Sequence, residues 1–228
     1  MLAARRSDRF PLLVITALAL AGLTLWDTTS LDIALARAVG GREGFPLRES
    51  WVLNQVLHDG ARRLAWVLTT VLALAVWWPV GPLRRLDLPS RVQLALTPLL
   101  VSFCISALKW FSVTSCPWDL NLFGGWARYA SHWSILADGG GGHCFPAGHA
   151  SAGFAFIGGY FVFRHVAPAT ARIWLQASLA AGFVLGIAQQ ARGAHFMSHT
   201  LWTAFLSWCL AFALDAARQT MKPRAVAT

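Results

Sequence analysis

Long apolar runs alternate with short polar connections along this chain, and that alternation constrains the fold more than any other feature. A membrane crossing needs about 17–25 mostly apolar residues. Six segments approach that length: Phe10–Trp26, Leu64–Val80, Val92–Leu108, Ala150–Phe163, Ile173–Ala188 and Leu201–Ala217. Hydrophobic residues fill 56% of the 228 positions and charged residues only 13%, which is more apolar surface than a water-soluble core of this size would absorb. The sequence therefore predicts an all-α fold, a polytopic membrane bundle of six transmembrane helices. It forms a single integral membrane domain over residues 1–228, with outward-facing connections at 27–63 and 109–148.

Basic residues set the expected orientation. Arg5, Arg6 and Arg9, then Arg84, Arg85 and Arg91, then Arg164 and Arg172, then Arg218, Lys222 and Arg224 share one side if six spans alternate. That side is expected to be the cytoplasm, so Lys109, His149, Arg192 and His195 face outward. The first span, with arginines before it and Trp26-Asp27 at its exit, reads as an uncleaved anchor rather than a signal peptide. The net charge of +9 has no soluble, aromatic-interleaved domain to carry it, which excludes nucleic acid as the partner and leaves topology and anionic lipid headgroups.

Between the first two spans, Leu31, Ile33, Leu35 and Val39, then Trp51, Val52, Val56 and Leu57, recur at helical spacing and suggest short helices lying over the outer surface. The second connection carries Gly139 to Gly142, a run that loses too much backbone entropy to hold a helix. Cys104 and Cys209 fall inside apolar runs as packing residues, whereas Cys116 and Cys144 flank this loop. In an oxidising compartment they form a disulfide, and in a reducing one they stay as two thiols.

Three short stretches carry the chemistry: Lys109 with Cys116-Pro117, then Pro146-Ala147-Gly148-His149, then Arg192-Gly-Ala-His195-Phe-Met-Ser-His199. Phosphoryl transfer needs positioning, charge stabilisation and a proton for the departing oxygen. A neutral ring nitrogen of His195 can attack phosphorus, and a protonated His149 can supply the proton. Lys109 and Arg192 contribute fixed positive charge. Pro146 and Gly148 open a helix whose free N–H groups add an anion site.

These stretches resemble the type 2 phosphatidic acid phosphatase family, whose pattern is Lys, six residues, Arg-Pro; Pro-Ser-Gly-His; and Ser-Arg, five residues, His, three residues, Asp. The resemblance runs from about Val92 to the end. It implies a type 2 phosphatidic acid phosphatase/chloroperoxidase-like core, His195 as nucleophile, His149 as general acid, and Lys109 and Gly148 holding the phosphate. Cys116 stands where the family has arginine, Ala147 where it has serine, Gln189 where it has the third-motif arginine, and His199 where it has aspartate. Arg192, three residues beyond Gln189, is nearly one turn away and can reach the same site.

His199 is a poorer acceptor than the carboxylate it replaces, so Asp119 from the outer loop is the second candidate for orienting His195, with pairing to Arg128 as its alternative. His58, His132 and His165 read as surface or interface residues. The expected activity is cleavage of a lipid phosphate or diphosphate in a bacterial inner membrane, with the site facing the periplasm or exterior, membrane lipids as partners and no cofactor. Two other readings stay open. One is a non-catalytic lipid-binding or transport protein on the same scaffold. The other is a metal site on His195 and His199, four apart on one helix face, with His143, His149 or Cys144.

Overall fold

A computed structural model describes residues 9–221, so Arg5, Arg6, Lys222 and Arg224 of the orientation argument lie outside the described residues. Seven helices carry the fold: α1 (Arg9–Asp27), α2 (Leu31–Val39), α3 (Ala61–Leu74), α4 (Leu88–Phe111), α5 (Ser151–Phe163), α6 (Pro168–Ala191) and α7 (Met197–Met221). No β-strand forms among the described residues; Gly41 with Gly44 and Leu120 with Ala127 make isolated bridges.

Helices α1, α4, α6 and α7 are long and apolar enough to cross a membrane. At about 1.5 Å per residue a helix of 24 residues spans about 36 Å, enough for a hydrocarbon slab of about 30 Å. The sequence expectation of six full spans is met by four. The second expected span, Leu64–Val80, is displaced: α3 has 14 residues and ends at Leu74, because Pro79 lacks an N–H and forces its predecessor out of helical geometry. On its other side the helical path continues back through a π-helical run, Val52–Gly60, whose polar His58 and Asp59 hide it from a reading based on hydropathy.

The fourth expected span forms as α5, broken in the middle by a 3-10 turn at Ala155–Ile157. Trp174 of α6 donates its indole N–H to the Phe156 carbonyl at 2.7 Å, satisfying a backbone group at that break. Helices α5 and α6 approach closely because their contact is built on glycine: a Cβ on Gly153 would lie 2.2 Å from the Gly182 amide nitrogen. Phe154, Ile157 and Phe161 of α5, with Leu12 of α1 and Ala211 of α7, form the central core. Helix α1 is peripheral, with 11% of its apolar window buried against 33% for the other three spans.

One end of the bundle is sealed by Asp215 of α7, which is buried and paired with Arg164 and Arg218 at 2.9 Å each. The opposite end is roofed by α2 and two 3-10 turns, Pro117–Asp119 and Asn121–Phe123, whose Leu120 and Phe123 pack with Phe45 and Ala36 on Phe196. Asp32 of α2 accepts from the Ser198 amide at 2.9 Å, from the Ser198 hydroxyl, and from the Trp26 indole at 3.0 Å, and so caps α7 from a distant part of the chain.

Substituting Gly153→Ala is expected to cost about 1–3 kcal/mol by overpacking the α5–α6 contact, read as a lowered unfolding midpoint in detergent, while Gly41→Ala, in open space, leaves that midpoint within a degree or two of wild type.

Candidate active site

Chain reversal brings the chemistry to the roofed end. Lys109 sits in the last turn of α4, His149 two residues before α5, and Arg192 and His195 between α6 and α7. The segments are fastened to one another. After Lys109, the Ser112 carbonyl accepts from the His143 amide at 2.7 Å and the Thr114 carbonyl from the Cys144 amide at 3.1 Å. Cys116 and Cys144 are joined by a disulfide across a separation of 28 residues. The Ala147 amide donates to the His199 carbonyl at 3.3 Å and the Thr203 hydroxyl to the Ala147 carbonyl at 3.2 Å, which ties the His149 segment to α7.

His195 is buried in a turn begun by Gly193, whose φ of 77° and contact with the Phe45 ring leave no room for a side chain. Its Nδ1 lies 3.4 Å from Nδ1 of His199. Burial first, then the charges of Lys109, His199 and His149, hold its pKa well below the usual histidine value. It is therefore a neutral imidazole, the form a nucleophile requires. Gly148 lies beside the Lys109 stem, where a Cβ would make an ordinary contact at 3.7 Å.

Arg192 donates through Nη1 to Gln189 Oε1 at 3.0 Å and through Nε to the Arg48 carbonyl at 3.1 Å, so the glutamine at the expected arginine position grips the arginine that follows it. Trp118 lies beneath both Arg48 and Arg192, at 4.7 and 5.9 Å from the ring centre. Asp119 does not reach the nucleophile: its carboxylate accepts from the Trp118 indole at 3.0 Å. Cys144 Sγ lies 3.6 Å from His195 Nδ1, and with His199 these donor atoms fall within 4.8 Å of one another. As a disulfide sulfur, Cys144 is not the thiolate that a metal site of this kind uses.

Two histidines that read as surface residues are part of the site. His58, on the π-helical run, stacks on His149 with ring centres 3.7 Å apart and pairs through Nδ1 with Asp59 at 3.0 Å. His132 lies edge-on to His199 with ring centres at 5.6 Å, and its Nε2 is 3.3 Å from Asp27 Oδ2. Neither residue carries a local motif, and the distances that matter join segments far apart in the chain. The one hint is for His58, whose sequence neighbour is Asp59.

Burial first, then the charges of His58, Lys109, Arg192 and Arg62, push the His149 pKa down to about 3. A phosphate dianion placed among these cations reverses that electrostatic contribution, so ligand binding and protonation of His149 are linked.

Residues 91–221 match the family model of the PAP2 superfamily. No curated protein and no solved structure matches the chain.

In a histidine NMR titration, His149 is expected to titrate near pH 3 in the free protein, and inorganic phosphate moves its midpoint upward. Because the folded pKa is depressed, the unfolded chain binds the extra proton, and the stability contributed by neutral His149 is lost as pH falls from about 6.5 towards 3. Replacing Cys116 and Cys144 by serine removes a loop constraint worth about 3–4 kcal/mol, seen as a lower unfolding midpoint.

Proposed function

The chain belongs to the PAP2 superfamily, whose members are generally phosphatases, and we propose that it is a membrane lipid phosphatase or related phosphotransferase working through a phosphohistidine. The observation that carries this reading is one cavity of about 280 Å³ with two kinds of wall. Arg62, Lys109, Gly148 and His149 line one part of it and Trp66, Leu99 and Phe156 another, where Trp66 and Leu99 are also exposed on the outside of the bundle; His195 and Arg192 lie outside its lining. A headgroup phosphate suits the first wall and an acyl or isoprenoid tail the second.

In this mechanism the lone pair on His195 Nε2 attacks phosphorus and the bond from phosphorus to the lipid oxygen breaks. The leaving oxygen takes a proton from His149, whose pKa the bound phosphate has raised. Lys109 and Arg192 hold the equatorial oxygens as charge develops. A water, or an acceptor hydroxyl in a transferase, then attacks the phosphohistidine while neutral His149 takes its proton. No step draws on a metal or an organic cofactor.

The α3 segment with its π-helical extension, together with α5, supplies the fifth and sixth crossings in this proposal. An even alternation of six places Asp27, His58, Lys109, His149 and His195 at one face. Arg84, Arg85, Arg91, Arg164, Arg172 and Arg218 then mark the cytoplasmic face, and the Cys116–Cys144 disulfide suits an oxidising one. The proposed setting is a bacterial inner membrane with the site facing the periplasm or exterior.

Purified protein is expected to release phosphate from phosphatidate, phosphatidylglycerol phosphate or a polyisoprenyl diphosphate in the presence of chelator. His195→Ala abolishes this release, and His149→Ala lowers kcat by about 10²–10⁴-fold. Phosphate release that survives both substitutions rejects the assigned roles. A wild-type protein that binds these lipids without turning any of them over favours the non-catalytic reading.

A further inference from the structure

A histidine that attacks through one ring nitrogen keeps a hydrogen on the other and becomes cationic as the new bond forms. An acceptor on the far nitrogen fixes the tautomer, and an anion nearby offsets the charge. His195 Nδ1 faces His199 Nδ1, so attack through Nε2 requires His195 to donate and His199 to accept. His199 is a neutral acceptor, which leaves the anion to be found.

Behind His199 stands His132, its ring stacked on Phe145 at 4.3 Å between ring centres and its Nε2 3.3 Å from Asp27 Oδ2, close but outside hydrogen-bond geometry. Asp27 Oδ2 also accepts from the indoles of Trp133 and Trp202, each at 2.9 Å, while Oδ1 is buried without a hydrogen-bond partner among the described residues. Trp202 lies three residues beyond His199 on α7, so the ring that grips Asp27 and the ring that faces His195 share a helix face. Asp32, the other nearby carboxylate, is committed to Ser198 and Trp26.

We propose that Asp27, acting through His132 and His199, is the positioning carboxylate that keeps the His195 proton on Nδ1 and offsets the positive charge of the phosphohistidine. No proton leaves the series. His195 keeps its Nδ1 hydrogen, shared with His199 Nδ1, and His199 carries its own hydrogen on Nε2. The electron pair of the broken P–O bond departs on the lipid oxygen, which His149 protonates. This inference rests on the phosphatase reading above.

The test is single-turnover phosphate release with protein in excess and saturating over a lipid phosphate, a rate that does not depend on what fraction of the protein is folded. Asp27→Asn keeps an acceptor for both indoles and removes the charge; it is expected to slow that rate about 10-fold or more with lipid affinity unchanged, and Asp27→Glu recovers part of the loss. His132→Gln gives a similar loss, and the double variant is no slower than the slower single one, as for residues acting as a unit. Rates within 2-fold of wild type, or losses that multiply in the double variant, overturn the proposal. Should Asp27→Asn fail to fold, His132→Gln, which leaves the two indole bonds to Asp27 in place, decides alone. Absence of turnover in wild type, or turnover that survives His195→Ala, instead defeats the phosphatase reading itself.

Discussion

The thickness of a hydrocarbon slab fixes how long a helix must be, and helix length fixes where the chain turns back. Most of what this protein can do follows from that constraint. Lys109 ends α4, His149 precedes α5, Arg192 and His195 join α6 to α7, and Asp27 ends α1. Each is a helix-end residue, and a bundle of alternating direction gathers such ends without any local signal instructing it. Polar and charged groups are costly in hydrocarbon, so the ends are also where they are tolerated. Tight junctions convert this coarse gathering into a site: the disulfide, the pairing of residues 143–144 with Ser112 and Thr114, and the bonds from Ala147 to His199 and Thr203.

Within that site the unusual condition is an excess of positive charge. Arg62, Lys109 and Arg192 act on one imidazole, His149, and none of the contributions that shift its pKa comes from a carboxylate. Such an arrangement favours an anion, so in the phosphatase proposed above affinity for phosphate and the proton needed by the leaving group arise from the same charges. Asp32 caps α7 and Asp27 sits beside His132, so these two carboxylates meet the histidine cluster from α1 and α2.

Much of this arrangement was legible in the sequence, for physical reasons particular to each element. Helices α1, α4, α6 and α7 are long, uninterrupted apolar runs, and each has the expected residues at its centre. Lys109, His149, Arg192 and His195 could be placed at one end because alternation alone determines which end they reach. The helix expected over Leu64–Val80 is displaced, since that run is apolar throughout but the helix ends at Leu74, and its helical continuation lies in Val52–Gly60, which carries His58 and Asp59. His58 and His132 are not legible as site residues in the sequence, because a histidine in a connection has no periodicity to reveal its neighbour. Asp119, the carboxylate that looked available, is held by Trp118 next to it, while Asp27 reaches the histidine cluster by virtue of α1 packing along α7.

Arg192 and Gln189 are joined by a hydrogen bond, so the position where the family pattern has arginine instead holds a neighbouring one. At position 189 a side chain projects from the last turns of α6, buried, and a guanidinium there would have to bring its charge out of the bundle. Gln189 is neutral, and its carbonyl oxygen instead receives the guanidinium of Arg192, a residue already past the end of the helix. Arg48 contributes a backbone carbonyl to the same guanidinium, and Trp118 lies beneath both arginines, so the first connection and the 109–148 loop jointly fix the cation. The positive charge is thereby delivered from a turn rather than from a helix, and its position depends on the roof. Seating of the roof is therefore what holds Arg192 in place, so in the phosphatase proposed above the loops over the site bear on phosphate binding as well as covering it.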